Sequence, residues 1–305
     1  MNLHDFILGK ITLHCSSVVD YLIEYYKSAQ NVLIISNDDL AGFLHNRKIR
    51  EDIIKTFLEE KEKFNNNKKE LIKEYLSEIN NIRNNFGFEV ISISDTEYPA
   101  QLRKIKNAPL NLYISGNFQF NYNKSIAIVG TRNVSPYAKE KVSEISKDLS
   151  KSGFCIISGL ARGVDGQAHS SAIAANGKTI AVLPFLSSKI YPPEHTQLAK
   201  EIISNNGALI SERFSLGKMY NAFYFTERNR IISGLSKAIL IVEGAEKSGS
   251  LSQYNHAKRQ NKIILTLKPY KENEGNYLPK KIISEGGIEI SSAQEIIRIL
   301  DKGNY

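Results

Sequence analysis

The sequence predicts an α/β protein in which a doubly wound, mostly parallel sheet follows a small helical N-terminal domain. Three observations support this prediction: short apolar segments alternate with amphipathic ones from residue 125 onward, several apolar segments end at a glycine, and residues 1–86 show helical periodicity. Buried strands that alternate with helices form parallel sheets, because each crossover places a helix on a face of the sheet. We expect one domain at residues 1–86 and a second at residues 87–305.

The N-terminal region shows the apolar spacing of amphipathic helices. One predicted face carries Val18, Leu22, Tyr25 and Tyr26, and another carries Ile53, Ile54, Phe57 and Leu58. Residues 61–74 are charged and rich in asparagine, and two alternatives stay open there: an exposed helix with a break at residues 65–67, or a loop. Alternation at residues 88–93 and 110–114 then predicts two strands.

The rest of the chain repeats the order strand, loop, helix. Apolar segments predict strands at residues 126–129, 154–157, 179–183, 209–211, 238–242 and 262–267. Helices are predicted between them at residues 137–152, 166–176, 195–205, 226–235 and 250–260. The carboxyl ends of parallel strands meet at one edge of the sheet, where loop N–H groups and helix N-termini bind phosphates.

Composition limits the class of protein. The 305 residues are 42% hydrophobic, enough for one large core and a smaller domain, and the formal charge of +8 favours a polyanionic partner without distinguishing nucleic acid, nucleotide and acidic membrane. Cys15 and Cys155 are far apart and predict free thiols in a reducing compartment. With no bilayer-spanning apolar run and no secretion signal at residues 1–11, we expect a cytoplasmic protein without a membrane partner.

Two glycine loops follow neighbouring strands of the predicted sheet. They are Gly130-Thr131-Arg132 and Ser158-Gly159-Leu160-Ala161-Arg162-Gly163-Val164-Asp165. The functional interpretation is a phosphate-binding edge, in which Arg132 is a forked cation and Gly159 and Gly163 let the backbone approach the ligand. The alternative is a pair of tight turns, with Ser135 and Asp165 as helix caps.

A stretch of aromatic and basic residues opens a later helix. It comprises Tyr220, Phe223, Tyr224, Phe225, Thr226, Glu227, Arg228, Asn229 and Arg230. Rings that stack on bases and cations that follow the backbone suit single-stranded nucleic acid. Alternatively, the aromatic side chains fill the core while Arg228 and Arg230 point to water or bridge to Glu227. The residues alone leave both interpretations open.

A third loop of small residues, Ser248-Gly249-Ser250, follows the strand that ends near Glu243. Three such loops at one edge favour a binding site over turn chemistry alone. Glu243 has no acid, base or nucleophile at a recognisable spacing. His169 has no metal-ligand cluster beside it, so we expect His169 to be a packed or solvated helix residue. We therefore predict a protein without catalytic residues, metal ligands or cofactor.

Seven motifs occur in an order that resembles the DprA/Smf family of DNA-processing proteins. They are GTRNVSPYAKE, SGLARGVDGQAH, TIAVLP, YPPEH, LISE, FTERNRIISGLS and VEGAEKSGSL, preceded by the lead-in DTEYPAQLRKIKNAPLNLYISGN. The resemblance covers about residues 88–300. It implies an extended Rossmann-like domain, often in a homodimer, that binds single-stranded DNA without sequence preference. It also implies protection of incoming strands and help in loading a RecA-type recombinase during natural transformation.

The resemblance assigns residues to the DNA site. Gly130 and Arg132 take the place of the phosphate-contacting residues, and Phe225 that of a base-stacking aromatic. The predicted DNA- or phosphate-binding set, which includes the family's RNR element at residues 228–230, is Gly130, Thr131, Arg132, Ser135, Ser158, Gly159, Arg162, Gly163, Phe225, Arg228, Asn229, Arg230, Ser248, Gly249 and Ser250.

The chain departs from the family pattern at several positions. Thr131 replaces the usual serine but keeps the hydroxyl. Glu194 follows the YPP segment at residues 191–193, where many relatives have a lysine that aids DNA binding, so that contact is expected to be absent. Lys189 or Lys218 would substitute for it. We also expect no winged-helix tail of the kind that many members carry.

Two alternative functions stay open. A small-nucleotide sensor would bind a signalling nucleotide in the same glycine loops and relay it through the N-terminal helices. A nucleotide phosphoribohydrolase would share this Rossmann variant with lysine-decarboxylase-like enzymes, although EGAEKSGSL stands where their P-G-G-x-G-T-x-x-E signature belongs. Because one fold hosts many functions, the motif string rather than the fold favours DNA binding.

Overall fold

The computed structural model describes residues 1–13, 15–215, 221–270 and 274–301. The chain divides into two compact units, Met1–Tyr113 and Ile114–Tyr305. The helical run of the first unit ends at Phe86, and the unit then continues through one strand and into a second. The predicted division into domains at residues 86 and 87 stays a prediction.

The first unit is mainly helical. Its helices are α1 (Leu3–Ile11), α2 (Val19–Tyr26), α3 (Ala29–Ile34), α4 (Asn37–Asn46), α5 (Glu51–Asn66) and α6 (Lys68–Phe86). Side-chain oxygens of Asn2, Ser28 and Ser36 accept hydrogen bonds from N–H groups in the first turns of α1, α3 and α4, so local caps set where these helices begin. α5 and α6 meet at Asn67, which confirms the alternative of a helix with a break.

Apolar side chains from these helices form one core, in which Leu22, Leu40 and Phe57 are fully buried. Two neighbouring strands follow the last helix, β1 (Glu89–Ser92) and β2 (Asn111–Gly116). Burial of this apolar surface is the main stabilising contribution to the unit, because isolated helices of such lengths are marginal in water.

The second unit contains a parallel sheet. Its strands are β3 (Ser125–Val129), β4 (Cys155–Ser158), β5 (Thr179–Val182), β6 (Ala208–Ser211), β7 (Ala238–Ile241), β8 (Ile263–Leu267) and β9 (Ile288–Ile290). Their order is β6-β5-β4-β3-β7-β8-β9, and every neighbouring pair is parallel. The helices are α7 (Pro136–Lys151), α8 (Val164–Ala174), α9 (Thr196–Ser204), α10 (Ala222–Leu235), α11 (Gly249–Arg259), α12 (Tyr277–Ser284) and α13 (Ala293–Asp301). The predicted α/β class and doubly wound sheet are confirmed.

The strand order explains how three loops come together. The chain runs outward from β3 to β6 and then returns to β7 on the other side of β3. The loops after β4, β3 and β7 are therefore adjacent at the carboxyl edge, as predicted. The strand order reverses between β3 and β7, and such a switch point is where open α/β sheets bind ligands. Fully buried residues such as Ile126, Ile128 and Leu240 keep the strands beneath this edge tightly packed.

A few elements differ from the prediction. α10 begins at Ala222 rather than at residue 226, because the Asn221 side chain accepts a hydrogen bond from the Phe223 N–H at 2.9 Å and caps the helix. β9, α12 and α13 lie beyond the last predicted strand, and the three residues of β9 are too few to show alternation.

Cys15 and Cys155 are both free and buried. Within the described ranges, no helix has the length and apolar content needed to cross a bilayer.

Candidate functional site

A carboxylate that follows the neighbouring strand β7 holds the loop after β3 in place. Ser135 caps α7, as predicted, because its Oγ accepts a hydrogen bond from the Ala138 N–H at 3.2 Å. The buried carboxylate of Glu243, just after β7, accepts from the Ser135 hydroxyl at 2.7 Å and from the Ser135 N–H at 3.0 Å. Glu243 thus supplies the negative charge that favours a helix N-terminus, and it positions the loop.

Arg132 lies in the same loop, and it is exposed. No acidic side chain of the described residues forms an ion pair with it. A guanidinium presents five N–H donors in a fork that matches a phosphate, and no carboxylate in the described part of the chain competes for those of Arg132. The predicted cation therefore stands available at the edge of the sheet.

Gly163 is the point at which the second glycine loop touches the first. Its φ is +74°, and a Cβ atom there would lie 2.4 Å from the carbonyl oxygen of Thr131 and 2.6 Å from that of Arg132. The neighbouring Val164 N–H donates to the Thr131 carbonyl at 3.2 Å. Glycine is required here by both backbone conformation and space, and its absence of a side chain sets where the Arg132 loop sits.

Asp165 organises the second loop from inside α8. Its Oδ2 accepts hydrogen bonds from the Gly159 N–H at 3.1 Å and from the Ala161 N–H at 3.4 Å. The alternative interpretation, in which Asp165 caps this helix, was wrong, because Gly163 occupies the cap position and α8 starts one residue before Asp165. Burial raises the pKa of the Asp165 carboxyl, while the Arg228 guanidinium and the two loop N–H groups act in the opposite direction.

Arg228 is buried beneath this loop. Its Nη1 donates to the Gly159 carbonyl at 2.7 Å and also to the Val182 carbonyl, so it joins the ends of β4 and β5. A Cβ atom on Gly159 would lie 2.5 Å from this nitrogen, which explains the glycine. Burial lowers the pKa of Arg228 to about 10, and the nearby Asp165 carboxylate opposes the shift. Arg228 is still protonated at neutral pH and places positive charge under the loop.

Asn229 and Arg230 support α10 from within the protein. The Asn229 Oδ1 accepts from Gln253 Nε2 at 3.0 Å, and Arg230 Nη2 donates to Glu212 Oε1 at 2.5 Å. Burial acts to raise the pKa of Glu212, but the guanidiniums of Arg230 and Arg213 hold it below the ordinary value. Both residues of the predicted RNR element are buried, so their side chains stabilise the helix that carries the aromatic residues.

Aromatic side chains form one wall of the edge. The ring centroids of Tyr191 and Phe225 are 5.5 Å apart with an interplanar angle of 76°, an edge-to-face pair. Phe223 is 55% exposed in the first turn of α10, whereas Tyr224 is buried, with Arg213 4.6 Å from its ring centroid. The aromatic run therefore divides between surface and core. Tyr220, the first residue of that run, and Lys218 lie outside the described residues.

These groups line one cleft. Its lining residues are Arg132, Gly159, Ala161, Arg162, Pro184, Tyr191, Pro192, Phe225 and Arg228, and its cavity volume is about 30 Å³. That space holds about one water molecule, so a phosphate or a base would contact the cleft at its mouth. Among the described residues, three arginines and two rings thus come together from four separate segments of the chain.

Other predicted site residues lie outside the cleft. Ser158 is fully buried, and its hydroxyl donates to the Ile128 carbonyl at 2.6 Å. The Ser248-Gly249-Ser250 loop starts α11 after β7, on the far side of β3 from the cleft. Gly130 packs closely, since a Cβ atom there would lie 2.7 Å from Val164 Cγ2. His169 is packed, one of the two expected outcomes, and burial lowers its pKa to about 3.

Sequence reasoning missed part of the cleft. Pro184, Tyr191 and Pro192 line it, and His195 Nδ1 lies 2.8 Å from the Leu160 carbonyl, which ties their segment to the second glycine loop. The available signal is the YPPEH motif, whose proline pair and tyrosine lie beside the position where many relatives have a DNA-binding lysine. No group of three His, Cys, Asp or Glu side chains that could hold a metal ion occurs in the part of the chain that the structure describes.

A family model described as DNA recombination-mediator protein A matches residues 89–301 of this chain. The chain belongs to this family. The match spans both glycine loops, the cleft and all the strands of the second unit. The resemblance deduced from the motifs is thereby confirmed.

Individual relatives agree with the family assignment. The chain is similar to the DNA processing protein DprA of Bacillus subtilis, with 36% identity over 224 residues that cover 72% of this chain and 73% of the relative. It is 38% identical to protein Smf of Escherichia coli over 211 residues, which are 69% of this chain and 56% of that protein. The chain thus aligns with little more than half of the Escherichia coli protein.

Two solved structures are similar to this fold. The X-ray structure of DprA from Streptococcus pneumoniae has a TM-score of 0.77 at 24% identity and covers 98% of both chains, which supports the fold. A structure of DNA processing protein A from Helicobacter pylori, described as showing a unique single-stranded DNA binding mode, has a TM-score of 0.63 at 28% identity. It covers 72% of this chain and 97% of that one.

Proposed function

We propose that this protein binds single-stranded DNA without sequence preference at the cleft, protects incoming strands and helps load a RecA-type recombinase. One observation carries the proposal: an exposed arginine, Arg132, which pairs with no carboxylate among the described residues, stands beside an aromatic wall formed by Tyr191 and Phe225. Cations that follow the backbone and rings that stack on bases are the two elements of sequence-tolerant single-strand binding.

The chemistry of the lining supports a lack of sequence preference. Besides its three arginines, the cleft offers two rings together with glycine, alanine and proline. Every base has a π-face, and each stacked base contributes roughly 1–3 kcal/mol. Among the described residues, no side-chain amide, the group that reads adenine edges, lines this cleft. Membership in the family and the single-stranded DNA binding mode described for the Helicobacter pylori protein point in the same direction.

The decisive experiment is fluorescence anisotropy with a labelled poly-thymidine oligonucleotide across a salt series. We expect Arg132→Ala to weaken binding about tenfold to a hundredfold, the loss of a charge-assisted hydrogen bond, and to reduce the salt slope by about 0.7. Arg298→Ala is the matched control, because it removes an exposed arginine from α13. An unlabelled duplex competitor should displace the oligonucleotide poorly, because paired bases hide their stacking faces.

Two outcomes would contradict the proposal. If the wild-type protein does not bind at low salt, the DNA function fails, and thermal shifts with mononucleotides would then test the sensor hypothesis. If Arg132→Ala and Arg298→Ala weaken binding equally, the protein binds through its overall charge and the cleft is not the site. Recombinase loading and homodimer formation are tested separately, by strand exchange on protein-coated DNA and by sedimentation.

A further inference from the structure

We propose that Arg162 and Glu194 form a gate at the mouth of the cleft, in which the Glu194 carboxylate occupies Arg162 until a DNA phosphate replaces it. This inference rests on the proposed function, because the phosphate that opens the gate belongs to the DNA. It assigns Glu194 the role of an internal competitor that sets how tightly the strand is held.

The ion pair joins two walls of the cleft. Arg162 belongs to the second glycine loop and lines the cleft itself. Its Nε donates to the carboxylate of Glu194, which lies in the short 3-10 helix Pro193–His195 directly after the cleft residues Tyr191 and Pro192. The contact between His195 Nδ1 and the Leu160 carbonyl joins the same two segments beside the pair. The ion pair therefore links the second glycine loop to the segment that carries Tyr191 and Pro192.

The pair is exposed enough for a ligand to replace it. The side chains of Arg162 and Glu194 are 63% and 43% exposed, whereas those of the structural pair Arg230 and Glu212 are 3% and 12% exposed. Solvent-exposed ion pairs contribute little to stability, because water and salt screen them and two long side chains must be ordered. A phosphate offers Arg162 equivalent charge-assisted acceptors. Pairing raises the pKa of Arg162 and lowers that of Glu194, so both groups are charged at neutral pH.

The small size of the cleft means that release of Arg162 would change both its width and its charge. Its volume of about 30 Å³ leaves no room for a nucleobase. Arg228 is buried and bound to two carbonyls, and Arg132 already lacks a carboxylate partner among the described residues. Among the described residues, the lining contains three arginines, and Arg162 is the one that pairs with an exposed carboxylate. Release of Arg162 would both widen the entrance and add a cation.

A double-mutant cycle tests the gate by anisotropy with labelled poly-thymidine. Glu194→Gln keeps the shape and removes the charge, and we expect binding to tighten about threefold to tenfold with a salt slope larger by about 0.7, the contribution of one phosphate contact. In an Arg162→Ala background, Glu194→Gln is expected to change nothing. Glu201→Gln removes the same charge from α9, and it should leave wild-type affinity unchanged.

Each other outcome overturns the proposal in a recognisable way. If Glu194→Gln tightens binding equally with and without Arg162, Glu194 acts by general repulsion and there is no gate. If Glu194→Gln leaves DNA affinity unchanged while Arg132→Ala abolishes binding, the gate fails and the DNA function stands. If the wild-type protein and all variants fail to bind, both proposals fail. Circular dichroism melts would confirm that these surface variants are folded.

Discussion

Two glycines in the loop after β4 lie where any side chain would displace a functional group. Gly159 leaves room for the Arg228 guanidinium, and Gly163 leaves room for the backbone of the Arg132 loop. At the scale of single residues, the shape of the cleft therefore depends on these two glycines as well as on the arginines. The arginines provide the charge, and the glycines determine where that charge lies.

Gly163→Ala tests whether the missing side chain at this position places the Arg132 loop. We expect the free energy of unfolding to fall by about 1–3 kcal/mol, because alanine is strained at this φ and its Cβ meets two carbonyl oxygens. Displacement of the Arg132 loop should also weaken DNA binding by the folded protein. Denaturant unfolding and anisotropy measure the two effects.

Gly153→Ala is the matched control. Gly153 has a φ of +82°, but a Cβ atom there would have no neighbour within 4 Å. This variant should lose about 1 kcal/mol of stability from backbone strain alone and keep its DNA affinity. Equal DNA affinity for Gly163→Ala and wild type would show that the loop contact does not position Arg132.

Among the elements, β7 and α7 are coupled through one carboxylate. Glu243 follows β7 and accepts two hydrogen bonds from Ser135, the residue that caps α7. Because the β3 loop that carries Arg132 ends at this cap, the carboxylate after the neighbouring strand helps to fix the position of that loop. The sequence shows no acid, base or nucleophile at a recognisable spacing from Glu243, and Ser135, which the fold brings beside it, lies more than 100 residues earlier.

Glu243→Ala should therefore affect both stability and binding. We expect unfolding free energy to fall by about 1–2 kcal/mol, since the α7 terminus loses its acceptor, and DNA affinity to fall severalfold as the loop loosens. Glu246→Ala is the control, because Glu246 is an exposed glutamate of the same loop. If both variants match wild type in DNA affinity, Glu243 has no positioning role.

At the scale of the whole molecule, 40 basic and 32 acidic side chains give the net charge of +8, and acid removes the stabilisation that paired carboxylates provide. Glu285 accepts hydrogen bonds from Lys258, Lys281 and Tyr254, and these contacts lower its pKa to about 2. Its pKa in the folded protein lies below the ordinary 4.5, so its stabilising contribution is present above pH 4.5 and is lost as the pH falls towards 2.

Comparison of wild type with Glu285→Gln isolates this contribution. Between pH 4.5 and about 2, wild-type unfolding free energy should fall more steeply than that of the variant, and the two curves should converge at the acidic end. Glu289→Gln, at an exposed position of β9, should follow the wild-type curve. Parallel curves for wild type and Glu285→Gln would show that the network does not stabilise the fold.

Much of the architecture was predictable because its causes are local. Alternating apolar segments predicted the strands, Ser135 was recognised as a cap, and the break between α5 and α6 was one of two alternatives for an asparagine-rich segment. Five of the residues that line the cleft were also predicted: Arg132, Gly159, Arg162, Phe225 and Arg228. Their residue types and motif context were enough to suggest phosphate and base contacts.

The sequence by itself determined the α/β class, the family and the convergence of glycine loops on one edge of the sheet, because strand periodicity and motif order are properties of neighbouring residues. Only the tertiary structure decided which charges are available. It buried Arg228 and Arg230, paired Arg162 with Glu194 and left Arg132 exposed. Burial and pairing depend on segments distant in sequence, since a charge is neutralised by whatever the fold brings beside it.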